Sequence, residues 1–185
     1  MREWVGMKRP GVIAIAVLGA LLAGLLIYGV VQNGDDRSIE KAISRGDYPP
    51  APDHVLPTLE GSGRQSLADY RGRVVFLNFY ASWCPPCAHE APTLRSFQQS
   101  LDTSKATMLG VAYKDFASDS TTFLKKHGLT YPSLRDNKLQ LAPKYGTNAL
   151  PETFVIDRRG RIVAVSRGEV TRAFLDASLK RALAA

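Results

Sequence analysis

Two cysteines, Cys84 and Cys87, stand with Pro85 and Pro86 between them where a strand pattern gives way to a helix pattern. Before them, Val74-Val75-Phe76-Leu77-Asn78-Phe79-Tyr80 is apolar and rich in β-branched and aromatic residues, as a fully buried strand should be. After them, Leu94, Phe97 and Leu101 recur at helical spacing. This order puts Cys84 at a helix N-terminus, where unpaired backbone N–H groups and the helix dipole favour an anion, and so a thiolate. Two cysteines separated by two residues also close a small disulfide ring. Together these features read as a dithiol that is oxidised and reduced repeatedly.

Other uses of a cysteine pair fit poorly. A structural zinc site needs four ligands, and the chain has only 2 cysteines. His54, His89 and His127 show no finger spacing. Covalent haem attachment needs a histidine straight after the second cysteine, where Ala88 stands. A purely structural disulfide would usually link distant segments. No metal and no cofactor are expected.

The chain of 185 residues has room for one domain and a tail. Gly11 to Val31 contains no charged residue. As a helix that run spans about 31 Å, close to the hydrocarbon thickness of a bilayer. Arg2, Lys8 and Arg9 precede it against Glu3, and Asp35 and Asp36 follow. The positive-inside rule then leaves residues 1–10 in the cytoplasm, makes 11–31 a transmembrane anchor and exports the rest. A cleaved signal peptide would have a shorter apolar region and a small-x-small site, which Tyr28-Gly29-Val30-Val31-Gln32 does not offer. With no cysteine outside the motif, an N-terminal lipid-anchored cysteine is excluded. Ala16, Ala20 and Gly24 form a small-residue stripe, a common feature of membrane helices. The net charge of +7 is scattered. Its densest cluster, Asp157-Arg158-Arg159-Gly160-Arg161, reads as a hairpin turn with solvated charges, and no nucleic-acid motif is present.

Residues 32–48 read as a linker, or as a short helix around Ser38–Ser44. Tyr48-Pro49-Pro50-Ala51-Pro52 is a stiff spacer, so the folded domain is expected over 49–185. His54–Leu59, interrupted by Pro57, suits an edge strand that turns at Gly61-Ser62-Gly63. Ser66–Tyr70 is a turn of helix. The central strand leads into the motif helix, which Pro92 should kink. Thr107–Ala112 is the second buried strand. Ser118 caps a helix through His127, closed by Gly128. A strand near Tyr131–Leu134 and a short helix Leu139–Tyr145 follow. Two antiparallel strands, Thr153–Ile156 and Ile162–Val165, precede a last helix from about Thr171 whose Leu175, Leu179 and Ala182 face the core beside Phe174. The βαβ start and ββα end make an α/β fold, a mixed central sheet with helices on both faces.

The motif, its flanks and this element order resemble the thioredoxin fold. More narrowly, they resemble the membrane-anchored TlpA/ResA/CcmG (DsbE) thiol-disulfide oxidoreductases of cytochrome c maturation. The likeness runs from about Ala51 to Ala185, plus the anchor. Ala51-Pro52-Asp53 through Ser66–Gly72 is like that family's N-terminal hairpin. Val111-Ala112-Tyr113-Lys114-Asp115 and Leu150–Asp157 look most like its CcmG branch.

The resemblance implies roles. Cys84 is the accessible nucleophile and Cys87 the buried resolving thiol. Pro151 matches the cis-proline beside the dithiol, which turns the backbone of Leu150 toward a substrate strand. Trp83, Leu150, Pro151 and Glu152 are then substrate-binding, and Glu90, three residues after Cys87, joins Cys84 and Cys87 as a catalytic group. Asn78 departs from ordinary thioredoxins, which place a buried aspartate there as proton carrier. Glu90 is the candidate to take over that work, by deprotonating Cys87. Pro85 and Pro86 lack N–H groups that a Cys84 thiolate would accept from, and Glu90 adds negative charge. Both disfavour the thiolate and point to a reducing couple.

The implied function is reduction of the Cys-x-x-Cys-His disulfide of apocytochrome c outside the cytoplasm, before haem attachment. Electrons come from an integral-membrane thiol donor. A broad extracytoplasmic disulfide oxidase or reductase is the alternative with the same fold. A non-enzymatic apocytochrome- or haem-binding module is the third. A peroxiredoxin is rejected, because its Pro-x-x-x-Thr-x-x-Cys motif would need proline and threonine where Leu77 and Ala81 stand.

Overall fold

The computed structural model describes residues 15–25 and 38–185. It falls into two units, Met1–Asp35 and Asp36–Ala185. In the first, residues 15–25 form helix α1, on which Ile15, Leu18, Leu21 and Leu25 are exposed. Among the described residues no helix is long and apolar enough to cross a membrane. Residues 11–14 and 26–31 of the expected anchor lie outside the described residues.

The second unit runs α2 (Ser38–Ser44), β1 (Leu56–Pro57), β2 (Arg64–Gln65), β3 (Val74–Tyr80), α3 (Pro85–Ser100), β4 (Ala106–Tyr113), α4 (Ala117–His127), β5 (Ser133–Asp136), β6 (Glu152–Ile156), β7 (Ile162–Arg167) and α5 (Arg172–Ala184). 3-10 turns occupy Leu67–Tyr70 and Ala142–Tyr145. Strands β1 and β2 pair as a small hairpin, and the other five form one sheet in the order β5-β4-β3-β6-β7. β3 lies parallel to β4, and β4 to β5; β6 runs antiparallel to both its neighbours.

Every residue of β3 is buried, which is why its sequence is a continuous apolar run rather than an alternating one. Its side chains alternate between two cores. Val74, Phe76 and Tyr80 join Leu94 and Phe97 of α3, Phe123 of α4 and Leu175 of α5. Val75, Leu77 and Phe79 join Leu56, Leu67, Tyr70, Tyr145 and Phe154 on the other face. The three long helices therefore share one face. Two right-handed parallel crossovers, β3-α3-β4 and β4-α4-β5, step across the sheet in the same direction, so both helices land on the same side. The opposite face is covered by the 3-10 turns, the hairpin and α2, whose Ile39 and Ile43 pack there.

Four local expectations change. Among the described residues, Ser38 onward belongs to the compact unit, where Ile39 and Ile43 of α2 pack on the core, so that unit reaches back before Pro49. The proline-rich stretch is no free spacer: Pro49 accepts from the Ile162 N–H at 2.8 Å and Ala51 donates to the Gly160 carbonyl at 2.8 Å. Ser118 is not the cap of α4. Phe116 holds that position without a side-chain bond, and the Ser118 hydroxyl donates to Asp119 instead. Asp157 is buried, not solvated, because it accepts from the N–H groups of Arg159 and Arg161, both at 2.9 Å, and pairs with the Arg161 guanidinium at 2.7 Å.

Candidate active site

Cys84 is the N-cap of α3, and its Sγ accepts the Cys87 N–H at 3.2 Å. Pro85 and Pro86 fill the first helical positions, where a missing N–H leaves no helical bond unmade. The Cys87 N–H is thus the donor that the two prolines leave to the nucleophilic sulfur. The cysteines form a disulfide with their Cα atoms 5.3 Å apart. In this oxidised form the expected contrast in exposure is slight: Cys84 is 4% exposed and Cys87 2%.

The turn before the motif is held from β4's end. Buried Asp115 accepts from the Ser82 N–H at 2.7 Å, the Ser82 hydroxyl at 2.9 Å and the Ser120 hydroxyl at 2.7 Å. Trp83 stays exposed, its indole N–H donating to the Lys114 carbonyl at 3.3 Å. The Leu150–Pro151 peptide is cis, as the resemblance implies. The Pro151 carbonyl accepts from Gly168, which leads the chain from β7 toward α5.

Glu90 lies three residues after Cys87 on α3, so the two share a helix face. It is 2% exposed, and no cation pairs with it among the described residues. Its Oε1 accepts from Asn78 Nδ2 at 3.0 Å and its Oε2 from the Val170 N–H at 2.9 Å. Burial pushes the carboxyl up to about 7; the two hydrogen bonds pull against that rise, and nearby Glu169 adds to it. Such a group is poised to exchange a proton near neutrality, the requirement for a general base acting on a thiol.

Glu152 is equally buried but differently placed. Along β6, Thr153 faces Asn78, whose Nδ2 donates to its hydroxyl at 3.1 Å, so adjacent Glu152 points to the other face of the sheet. There Arg167 Nη1 lies 2.7 Å away, and the same guanidinium reaches Glu40 of α2 at 2.6 Å. Arg167 also donates to the carbonyls of Tyr145 and Gly146. Burial raises the Glu152 carboxyl above its ordinary range, with Arg167 opposing. The structure therefore gathers Cys84, Cys87 and Glu90 on one face and leaves Glu152 across the sheet.

The residues that hold this site from outside the motif are Asn78, Thr153, Val170 and Asp115. Of these, only Asn78 is singled out by the sequence as a site residue, as an amide where a carboxylate is expected; Asp115 and Thr153 lie in segments that carry the resemblance without a role of their own. Among the described residues no group of three or more His, Cys, Asp or Glu side chains is placed to hold a metal ion.

The model of the AhpC/TSA family matches residues 49–165, more than half of the chain. The chain belongs to the AhpC/TSA family. Among curated relatives, the thiol-disulfide oxidoreductase ResA of Geobacillus thermodenitrificans is 36% identical over 122 residues, covering 66% of this chain and 70% of the relative. Among solved structures, a DsbE thiol:disulfide interchange protein from Chlorobium tepidum superposes with a TM-score of 0.66 at 29% identity, over 74% of this chain and 96% of that one. A secreted thiol-disulfide isomerase from Corynebacterium glutamicum gives 0.66 at 28% identity, over 73% and 86%. Within the AhpC/TSA family this is a thioredoxin-like thiol-disulfide oxidoreductase of the ResA/DsbE type. Leu77 and Ala81, where a peroxide-reducing site would need proline and threonine, are both buried and apolar, in keeping with dithiol chemistry.

Proposed function

We propose that this oxidoreductase is membrane-anchored through residues 11–31 and reduces the Cys-x-x-Cys-His disulfide of apocytochrome c outside the cytoplasm. One observation carries the reading: the Cys84–Cys87 pair at the α3 N-terminus has a buried carboxyl without a cation, Glu90, one turn further along. The exposed apolar residues of α1 support the anchor.

The Cys84 thiolate attacks one sulfur of the client disulfide. The client S–S bond breaks, a mixed disulfide forms, and the other client sulfur leaves as a thiolate. Glu90 takes the proton from Cys87. The Cys87 thiolate then attacks Cys84 Sγ, closing the ring and releasing the second client thiol. The client gains two electrons, and an integral-membrane thiol donor restores the Cys84–Cys87 dithiol. In this reading Trp83, next to Cys84 in the chain, and the cis-linked Leu150 and Pro151 are the client contacts.

The test is the redox state of c-type apocytochromes in cells with and without the protein, read by thiol alkylation. Oxidised apocytochrome accumulating in its absence is expected; unchanged apocytochrome thiols would overturn the client assignment. The likeness to a secreted thiol-disulfide isomerase favours a second reading, a broad extracytoplasmic oxidoreductase for secreted proteins. In that case the oxidised proteins that accumulate would be other secreted clients.

A further inference from the structure

Asn78 sits in the middle of β3, fully buried, between Glu90 of α3 and Thr153 of β6. Its Nδ2 donates to both, at 3.0 and 3.1 Å. Its Oδ1 is buried and has no hydrogen-bond partner among the described residues. Buried polar atoms are rarely left unpaired, and each exception calls for a reason. The reason here lies in what Glu90 has to do.

A base that takes the Cys87 proton alternates between carboxylate and carboxylic acid. The carboxylate only accepts hydrogen bonds; the acid must also donate one. The Val170 N–H fixes Oε2 as an acceptor in both states. The acid proton therefore belongs on Oε1, which faces Asn78. An N–H group cannot accept that proton's bond, but the other end of the same amide can. A half-turn of the amide brings Oδ1 where Nδ2 was. Thr153 follows either orientation, because a hydroxyl both donates and accepts.

We propose that Asn78 is a positioning residue for the dithiol reaction: its amide holds Glu90 through Nδ2 while Glu90 is charged and through Oδ1 once Glu90 has taken the Cys87 proton. The proposal rests on the assignment of Glu90 as the base for Cys87. In the step it serves, Cys87–SH and Glu90 carboxylate become Cys87 thiolate and Glu90 acid. The thiolate then attacks Cys84 Sγ, the mixed disulfide breaks, and the released client thiolate takes up a proton. Asn78 changes partner atom and gains or loses no proton. An aspartate at this place would set two carboxyl groups against each other; a leucine would bond neither state.

The groups facing Glu90 are few. From the turn before α5 comes Glu169, whose Oε1 lies 3.6 Å from His89 Nδ1. From the segment before β5 comes Tyr131, whose burial raises its phenol well above the ordinary range. From β3 and β6 come the uncharged Asn78 and Thr153, and from α3 itself comes Cys87.

The experiment is a pH titration of the oxidised full-length chain in detergent micelles, following the Asn78 side-chain NH2 group and the Glu90 carboxyl carbon by NMR. The Asn78 signals are expected to move with the same midpoint as Glu90, and Glu90→Gln is expected to remove the movement. Asn78 signals that stay fixed while Glu90 titrates would overturn the proposal and leave Glu90 as the base. If Glu90 does not titrate between about pH 5 and 9, the general-base reading falls and this proposal with it. As a second readout, Asn78→Asp should shift the pH profile of client release upward by about one unit or more. An unmoved profile in that variant would contradict the positioning role, whereas a uniformly slower one would mark a purely structural residue.

Discussion

Glu90 and Glu152 are each 2% exposed, yet the sheet separates them and the chain treats them oppositely. On the α3 face the partners of Glu90 among the described residues are neutral, an amide and a backbone N–H. On the other face Glu152 has a guanidinium at 2.7 Å that is itself shared with α2. A buried carboxyl left without a cation gives up its charge readily; one that is paired keeps it and serves as a joint. The contrast shows how one burial level yields two functions, a proton site beside the dithiol and a clasp that ties α2 to β6 and β7.

Removing the cation is the harshest way to break this contrast. Arg167→Leu leaves Glu152 buried and unpaired, and the expected loss is about 3–5 kcal/mol by urea unfolding of the full-length chain in detergent. The loss should shrink as pH falls and Glu152 takes a proton. A loss below about 1 kcal/mol would mean that the clasp contributes little.

Glu90→Gln should act in the opposite direction. The folded carboxyl sits near 7 against an ordinary 4.5, so between those values the folded state binds the extra proton. Stability from this group is therefore complete below about 4.5 and is lost as pH rises through about 7. The neutral amide of the variant would remove that loss, stabilising the chain by on the order of 3 kcal/mol near pH 8 and by almost nothing near pH 4. Destabilisation at both ends of the range would contradict the account.

Redox potential sharpens the comparison further. The wild-type couple is expected nearer the thioredoxin value of about −270 mV than the DsbA value of about −120 mV. Glu90→Gln removes negative charge beside the dithiol and should move the midpoint about 30 mV in the oxidising direction, equal to about 1.4 kcal/mol. Glu152→Gln, across the sheet, should leave it unchanged. Equilibration with dithiothreitol buffers, read by free-thiol labelling, tests both; equal shifts would erase the distinction. The smallest effect belongs to Glu40→Gln at the partly exposed end of the clasp, about 1 kcal/mol or less by the same urea assay.

The element order was legible in the sequence because β3 and α3 carry strong, uninterrupted patterns, and the dithiol because nothing else explains Cys84 and Cys87. What the pattern did not carry is the wiring behind them. The Val170 N–H that holds Glu90 is 80 residues away in the chain, and Thr153 is 75 from Asn78. No local spacing encodes such contacts; only the sheet order brings them together. Ser118 misled for the same reason. It has the chemistry of a cap, but Asp115 is drawn to Ser82 and Ser120, and the helix starts at Ala117 instead. The resemblance likewise names Glu90 as a catalytic group and Glu152 as a substrate contact, but the sequence does not say that they lie on opposite faces of the sheet.

The most direct test follows release of a disulfide client from the Cys84 mixed disulfide as a function of pH, in wild type, Glu90→Gln and Glu152→Gln. Wild type and Glu152→Gln should share an inflection near pH 7, with release faster above it, since only the Glu90 carboxylate can take the Cys87 proton. In Glu90→Gln that inflection should vanish and release should slow by about 10²-fold or more. An inflection that survives in Glu90→Gln, or disappears in Glu152→Gln, would contradict the division of labour between the two faces of the sheet.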